Sequence, residues 1–342
     1  MQIYTVMKLK IAVVNSLTFG AYTDVFTCLN RLGEVTRLNV PRDIRGNELA
    51  AVLAGYHVAV VSTNPRYDRE FFEKNSDIVL LARNGIGVDN IDLEAATEHG
   101  VIVTRVPGEV EREAVAELAV ALMLDAYRMV SQAFIAVREN RWRERTKFIG
   151  PELKGKTIGI IGLGNIGKRV AEILSKGFKA KVLAYDPFIS PETVKDLDVV
   201  LTDFETLLKE SDIVSLHTPQ TPETRHMMNA KAFELMKPGS MLVNTARGGL
   251  VDTDALVNAL KTGNIRYVGL DVVEGDYIDS SHPLLQFENV VVTPHIGAYT
   301  YESFIGIDMA VAEAIEALAR GEKPKNTANP RVFEKTVRTI KH

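Results

Sequence analysis

The sequence predicts an α/β protein of two doubly wound parallel-sheet domains, and three observations carry that prediction. Its 342 residues exceed what one hydrophobic core readily serves, so two domains, each with its own interior, are expected. Short β-branched runs alternate with helical-period segments along the chain, as parallel strands covered by helices on both faces require. Midway, the glycine-rich turn "GLGNIG" at 162–167 joins a buried strand to an amphipathic helix.

Taken in order, the strands of the first hundred residues are "KIAVVNS" (10–16), "EVTRLNV" (34–40), "HVAVVST" (57–63), "DIVLLAR" (77–83) and "VIVTRV" (101–106). Helices such as "DREFFEKN" (68–75) and "DLEAATEHG" (92–100) separate them, so a five-stranded unit is expected. The long segment "EREAVAELAVALMLDAYRMV" (111–130) is apolar on more than one face, which places it at a domain or subunit interface. A second strand series then runs through "KTIGIIG" (156–162), "AKVLAYD" (180–186), "DIVSLHTP" (212–219), "GSMLVNTA" (239–246), "YVGLDVV" (267–273) and "NVVVTPH" (289–295). One more helix is expected near 301–320, before a tail that carries two prolines.

Composition narrows the function classes. With 46% hydrophobic and 25% charged residues and no apolar run of membrane-spanning length, insertion in a bilayer is not expected. The net charge of −4, with no basic stripe, leaves out the electrostatic footprint of a nucleic-acid binder, so a small-molecule partner is expected. A single cysteine, Cys28, and an N-terminus without the layout of a signal peptide fit a reducing cytoplasm. Cys28 lies in an apolar-periodic stretch and reads as a small core residue rather than a nucleophile. No Cys/His cluster has metal-ligand spacing, so no metal is expected.

The glycine turn reads as a dinucleotide site. Gly162 permits the tight turn, Gly164 lets backbone approach a pyrophosphate, and Gly167 lets the helix pack on the strand. The phosphates would face the positive end of the helix dipole. Nineteen residues on, Asp186 ends the next strand, where a carboxylate accepts from ribose hydroxyls and repels a 2′-phosphate, so NAD is expected over NADP.

Ligands of open α/β sheets bind outside the carboxyl ends of the strands. Four such ends carry polar groups: His217-Thr218-Pro219, Thr245-Ala246-Arg247-Gly248, Asp271 and His295. Arg247 supplies a permanently charged fork for an anionic substrate and its carbonyl. An imidazole side chain ordinarily titrates near neutrality, as proton transfer to an alkoxide needs, and His295 is the candidate general acid/base. His99 reads as a helix end and His282 as a loop residue, while His57, His226 and His342 have no constellation around them in the sequence.

With these motifs in this order, the chain resembles the D-isomer-specific 2-hydroxyacid dehydrogenases over nearly its whole length. The residues that carry the resemblance are "RNGIGVDNID", "GLGNIG" with Asp186, "LHTPQTPETRHMMN", "LVNTARGGLVDTDAL", "GLDV" and "TPHIG". The resemblance implies a flavodoxin-like substrate domain from both chain ends (1–106 and 298–342), an inserted Rossmann NAD domain (107–297), a cleft between them and a homodimer. It implies reversible hydride transfer between NADH and a small 2-keto acid.

Carried over by position, the resemblance implies a catalytic trio of Arg247, Asp276 and His295. Substrate is expected on the backbone of Asn84, Gly85, Ile86 and Gly87 and on Arg247. Cofactor contacts are expected at Gly162, Gly164, Asn165, Ile166, Gly167, Asp186, His217, Thr218, Pro219, Thr224, Thr245, Ala246, Arg247, Asp271, His295 and Gly297. Asp271 looks like the residue that binds the nicotinamide carboxamide.

The family's acidic member is a glutamate five residues past the position of Asp271, where this chain has Asp276, one methylene shorter. Register favours Asp276 as the partner of His295, and Glu274 has the longer reach. The segment "PGEVEREAVAE" (107–117) is more charged than the family's usual one, and Trp142 reads as core or interface packing. The alternative reading is a non-catalytic NADH-responsive binding protein of the same fold.

Overall fold

In the computed structural model residues 8–340 are described. The N-terminal residues 1–7, used above to argue against a leader, and His342 lie outside them. The chain divides into two compact units, Met1–Glu111 with Tyr299–His342, and Arg112–Ala298.

Unit 1 runs β1 (Leu9–Val14), α1 (Val25–Leu32), β2 (Gly33–Leu38), α2 (Gly46–Val52), β3 (Val58–Val61), α3 (Arg69–Lys74), β4 (Leu80–Arg83), α4 (Leu93–Glu98) and β5 (Ile102–Thr104). Its five strands are all parallel, in the order β2-β1-β3-β4-β5, which is the flavodoxin-like order. Alternation along β1 explains both faces of the sheet. Ala12 and Val14 meet Leu49, Phe71, Phe72 and Ala95 from α2, α3 and α4. Ile11 and Val13 meet Leu29 of α1 and Val311 and Ile315 of a helix from the far end of the chain. Asp68 and Asp92 start α3 and α4 by accepting from Phe71 N and Ala95 N.

Unit 2 begins within α5 (Gly108–Arg128), continues through α6 (Val130–Arg138), and then carries β6 (Thr157–Ile161), α7 (Asn165–Glu172), β7 (Lys181–Tyr185), β8 (Val200–Leu201), α8 (Phe204–Glu210) and β9 (Ile213–Leu216). It closes with α9 (Ala230–Leu235), β10 (Ser240–Asn244), α10 (Thr253–Thr262), β11 (Ile265–Leu270) and β12 (Val290–Val292). Unit 1 then resumes with α11 (Tyr301–Ala319), the helix that carries Val311 and Ile315. The seven strands of unit 2 are parallel, in the order β12-β11-β10-β9-β6-β7-β8, a Rossmann arrangement whose direction reverses between β6 and β9. β8, a two-residue edge strand, was not foreseen.

The face of α5 that carries Ala116, Ala119, Leu122, Met123 and Ala126 packs with Ile158, Ile160, Met241 and Val243 of the unit 2 sheet. Two expectations need correcting. Cys28 is half-buried rather than core, and its thiol lies 2.9 Å from Glu316 Oε1. That hydrogen bond, with burial, pushes the thiol above its ordinary value, which suits an inert side chain. Trp142, expected in core or interface packing, is 67% exposed, so the core half of that expectation fails.

No single helix among the described residues is long and apolar enough to cross a membrane. None of their His, Cys, Asp or Glu side chains form a group poised to hold a metal ion.

Candidate active site

The reversal point of the unit 2 sheet brings the glycine turn beside the end of β9. Gly162 leaves β6 at φ +90, and a Cβ there would lie 2.6 Å from His217 O, so backbone meets backbone at the crossover. Gly167 sits in the first turn of α7, and a Cβ on it would lie 2.0 Å from Gly162 O. Gly164 differs, since nothing stands within 4 Å of where its Cβ would be. Open space therefore faces the N-terminus of α7, where dipole and backbone N–H groups favour a phosphate. Asn165 and Ile166 follow as the first two residues of that helix.

Asp186 follows β7, and its Oδ2 accepts from Leu163 N at 2.8 Å while Oδ1 accepts from Phe188 N at 2.9 Å. Its carboxylate thus braces the glycine turn, and each oxygen keeps capacity for a ribose hydroxyl. Two buried polar atoms at the ends of β9 and β10 have no hydrogen-bond partner, His217 Nδ1 and Thr245 Oγ1. Buried polar groups are normally satisfied, so these atoms mark a place for a polar ligand. Burial pushes His217 down to about 3, and its other nitrogen lies 2.9 Å from Ser215 Oγ, so the ring is neutral at physiological pH. Open space at Gly164, the brace at Asp186 and the orphaned pair all fit a dinucleotide lying across the reversal point.

Thr218 and Pro219 start the loop after β9. Thr224 closes it by donating to Pro219 O at 2.8 Å and accepting from Thr221 N at 2.7 Å. After β10 the Thr245–Arg247 turn is shaped by Asn244, a fully buried residue that sequence reasoning missed. Its Oδ1 accepts from Ala246 N at 3.0 Å and its Nδ2 donates to Arg247 O at 2.8 Å. The Arg247 guanidinium is half-buried and donates to Ala246 O at 2.7 Å.

Asp271 ends β11 and is 1% exposed. Its Oδ1 accepts from Thr293 Oγ1 at 2.6 Å and Ile296 N at 2.8 Å, and its Oδ2 accepts from Gly297 N at 2.7 Å. His295 N donates to Asp271 O at 2.9 Å. The carboxylate thus organises the whole turn that presents His295, whose φ of +56 holds it in the left-handed region. Registers Asn244↔Leu270 and Leu270↔Val292 put β10, β11 and β12 level, so Arg247 and His295 each stand three residues past aligned strand ends.

The acidic loop separates the two candidate carboxylates. Asp276 is exposed, at φ +56 just after Gly275 at φ +81, with its N–H donating to Val273 O at 3.0 Å. Glu274 is engaged elsewhere, 2.6 Å from His226 Nε2, 3.2 Å from Thr253 Oγ1 and 3.6 Å from Arg225 Nη2. Partial burial pulls its carboxyl upward, but these donors outweigh it and hold Glu274 below the usual carboxylate range. His226, taken from the sequence to be without a constellation, therefore has one.

In unit 1, the loop Asn84–Gly87 after β4 is held from several sides. Arg83 Nε donates to Gly87 O at 2.7 Å and its Nη1 to Asn84 O, while Val106 N donates to Gly85 O at 3.0 Å. Asn84 Nδ2 donates to Ser16 Oγ at 2.8 Å, and Ile86 packs on Val106, Phe304 and Ile307. The charged segment entering α5 finds a partner within unit 2, where Glu113 bonds Arg169 of α7 at 2.6 Å.

Comparison with known proteins adds four findings. Residues 120–297 match the family model described as D-isomer specific 2-hydroxyacid dehydrogenase, NAD binding domain. A D-3-phosphoglycerate dehydrogenase of Archaeoglobus fulgidus is 43% identical over 282 residues, 82% of this chain and 53% of that one, so the chain spans about half the length of this relative. A glyoxylate reductase of Thermococcus litoralis is 42% identical over 80% of this chain and 84% of its own. Among solved structures, a D-lactate dehydrogenase from Aquifex aeolicus complexed with NAD and lactic acid aligns at a TM-score of 0.81 and 29% identity. That alignment covers 93% of this chain and 99% of the other.

Proposed function

The chain belongs to the D-isomer-specific 2-hydroxyacid dehydrogenase family, and from that premise we propose that it interconverts a small 2-oxo acid and the corresponding D-2-hydroxy acid. Unit 2 carries the family's NAD-binding domain. The observation that carries the reading is the level placement of Arg247 and His295 past the ends of β10 and β12, with Asp271 anchoring the His295 turn between them.

A bound nicotinamide coenzyme supplies the hydride donor or acceptor. Arg247 orients the substrate by its carboxylate and polarises the carbonyl. His295 gives a proton to the oxygen in reduction and takes it back in oxidation. Backbone N–H groups of Asn84–Gly87 receive the substrate carboxylate. Asp276 is the carboxylate that fixes the tautomer of His295, since Glu274 is committed to His226. Gly162, Gly164, Asn165, Ile166 and Gly167 would hold the phosphates of the dinucleotide and Asp186 its ribose. His217, Thr218, Pro219, Thr224, Thr245, Ala246, Asp271 and Gly297 would receive its nicotinamide half. The relatives' names set the substrate panel of glyoxylate, hydroxypyruvate, pyruvate and the 2-oxo acid of phosphoglycerate.

The test is NADH oxidation with each of these acids, and with NADPH in its place. Turnover with at least one acid, preference for NADH, and a loss of roughly a hundredfold or more in His295→Ala and Arg247→Ala are expected. No turnover with any acid overturns the reading.

The molecule is further proposed to act as a homodimer. Val130, Phe134, Trp142 and Ile149 of unit 2 are large apolar side chains between 56% and 75% exposed, which supports burial of this segment against a second copy. Light scattering should give twice the chain mass, falling to one in Phe134→Glu. A cytoplasmic location is the matching proposal, supported by the single, inert Cys28 and tested by cell fractionation.

A further inference from the structure

We infer that His226 and Glu274 form a positioning pair that locks the Arg247 turn and the Asp276 loop into one rigid rim. Three loops leave the carboxyl ends of β9, β10 and β11, and this pair is where they are tied together. His226 belongs to the first, Thr253 follows the second, and Glu274 belongs to the third. Glu274 uses Oε1 for His226 Nε2 at 2.6 Å and Oε2 for Thr253 Oγ1 at 3.2 Å, so a single carboxylate bridges all three.

The backbone around the pair has no slack. His226 N donates to Gly249 O at 2.9 Å, Met228 N to Leu250 O at 3.0 Å and Asp252 N to Met228 O at 3.0 Å, which makes a short parallel bridge between the first two loops. A Cβ on Gly248 would lie 2.0 Å from Val273 O, so the turn after Arg247 is pressed directly onto the third loop. Arg247 therefore precedes the pressed residue by one, and Asp276 follows Glu274 by two. Both side chains are about one-third exposed, and His226 holds a φ of +51 that costs energy unless its surroundings enforce it. A strained residue that spends its ring on a loop-to-loop bond is the mark of a fixed geometry rather than of a solvated surface pair.

The pair acts through Arg247 and Asp276 and touches no reacting atom, so its kinetic arm rests on the reaction proposed above. Its other arm does not, because amide hydrogen exchange reads the unliganded full-length chain. In His226→Ala and Glu274→Ala, amides of 247–253 and 272–278 should exchange about tenfold faster while those of β6 and α7 keep their protection. Turnover of the best 2-oxo acid should fall about tenfold in kcat, with the NADH Kd within twofold of the parent. The double variant should be no worse than either single one, and His226→Gln, which keeps an N–H donor, should recover most of the loss.

Should an alanine variant fail to fold, Thr253→Val removes only the hydroxyl bond, and about a threefold gain in exchange in the same two segments is then expected. Unchanged exchange in 247–253 and 272–278, additive losses in the double variant, or a normal kcat in folded variants would each overturn the inference. If the parent reduces no 2-oxo acid, the proposed reaction falls while the exchange arm still decides the role of the pair.

Discussion

Replacing Asp271 by asparagine should destabilise the unliganded protein, and the size of the effect follows from three bonds. Oδ1 takes two donors and Oδ2 takes one, all within 2.8 Å, at a residue that is 1% exposed. An asparagine whose oxygen occupies the Oδ1 place turns its NH2 toward Gly297 N, so one buried bond is lost and two donors face each other. A buried donor left unsatisfied costs about 1–3 kcal/mol, and hydrogen bonds to a charged acceptor are worth more than neutral ones. A total near 3 kcal/mol is therefore expected, against an ordinary stability of about 5–15 kcal/mol. At roughly 2–4 °C per kcal/mol for a unit of this size, the transition should fall by about 6–12 °C. Asp271→Ala strips all three bonds and should cost about 3–9 kcal/mol.

The assay is scanning calorimetry of the coenzyme-free chain, followed by kinetics on the variants that fold. Because the same bonds present His295, its proposed role as acid/base leads to a drop in kcat of about a hundredfold, as misplacement of a reacting group by an ångström causes. A carboxylate that served only to contact the cofactor would leave the coenzyme-free transition where it was. An Asp271→Asn transition within 2 °C of the parent would therefore refute the idea that this side chain builds the turn.

Three further outcomes follow from the site. Gly164→Ala places a methyl in open space, so the transition should fall by less than about 3 °C while NADH affinity in a fluorescence titration falls at least tenfold. Gly167→Ala drives a methyl into Gly162 O and should lower the transition and the affinity together in the same two measurements. His217 is held near 3 in the fold against 6.5 in the unfolded chain, so the unfolded chain binds a proton that the fold refuses. Stability from this group is intact above about 6.5 and is lost as pH falls, at about 1.4 kcal/mol per pH unit until about 3. Urea midpoints of a His217→Asn variant should show a shallower acid limb than the parent.

How much of this was legible in the sequence depended on the range of the interaction. Strands buried on both faces announce themselves as nearly unbroken apolar, β-branched runs, which is why β1, β3 to β7 and β9 to β11 were found; the edge strands β2 and β12 are less buried but still rich in β-branched residues, while β8 is too short and too exposed at Val200 to leave a pattern. The glycine turn and Asp186 are local and stood out. Asn244 could have been noticed, since Asn before a turn commonly bonds its own backbone. The His226–Glu274 bond joins residues 48 apart through the register of two loops, and nothing local signals it. Helical periodicity placed Cys28 on an apolar face but could not say how deep that face lies, which Glu316 of α11 decides.

The descent of α11 onto the first sheet sets an order of assembly on the ribosome. Ile11, Val13 and Val58 are covered on one side only in part, by Phe19 and Leu29, until Val311 and Ile315 have been synthesised, and Asp308 reaches back to Gly20 N and Thr23 Oγ1 only then. The stretch from Arg112 to Ala298 is contiguous and can bury its interior earlier, so the nascent molecule completes its middle before its beginning. For that interval the early strands are an exposed apolar surface awaiting the last helix, and they are the part of the chain that a chaperone would have most reason to shelter.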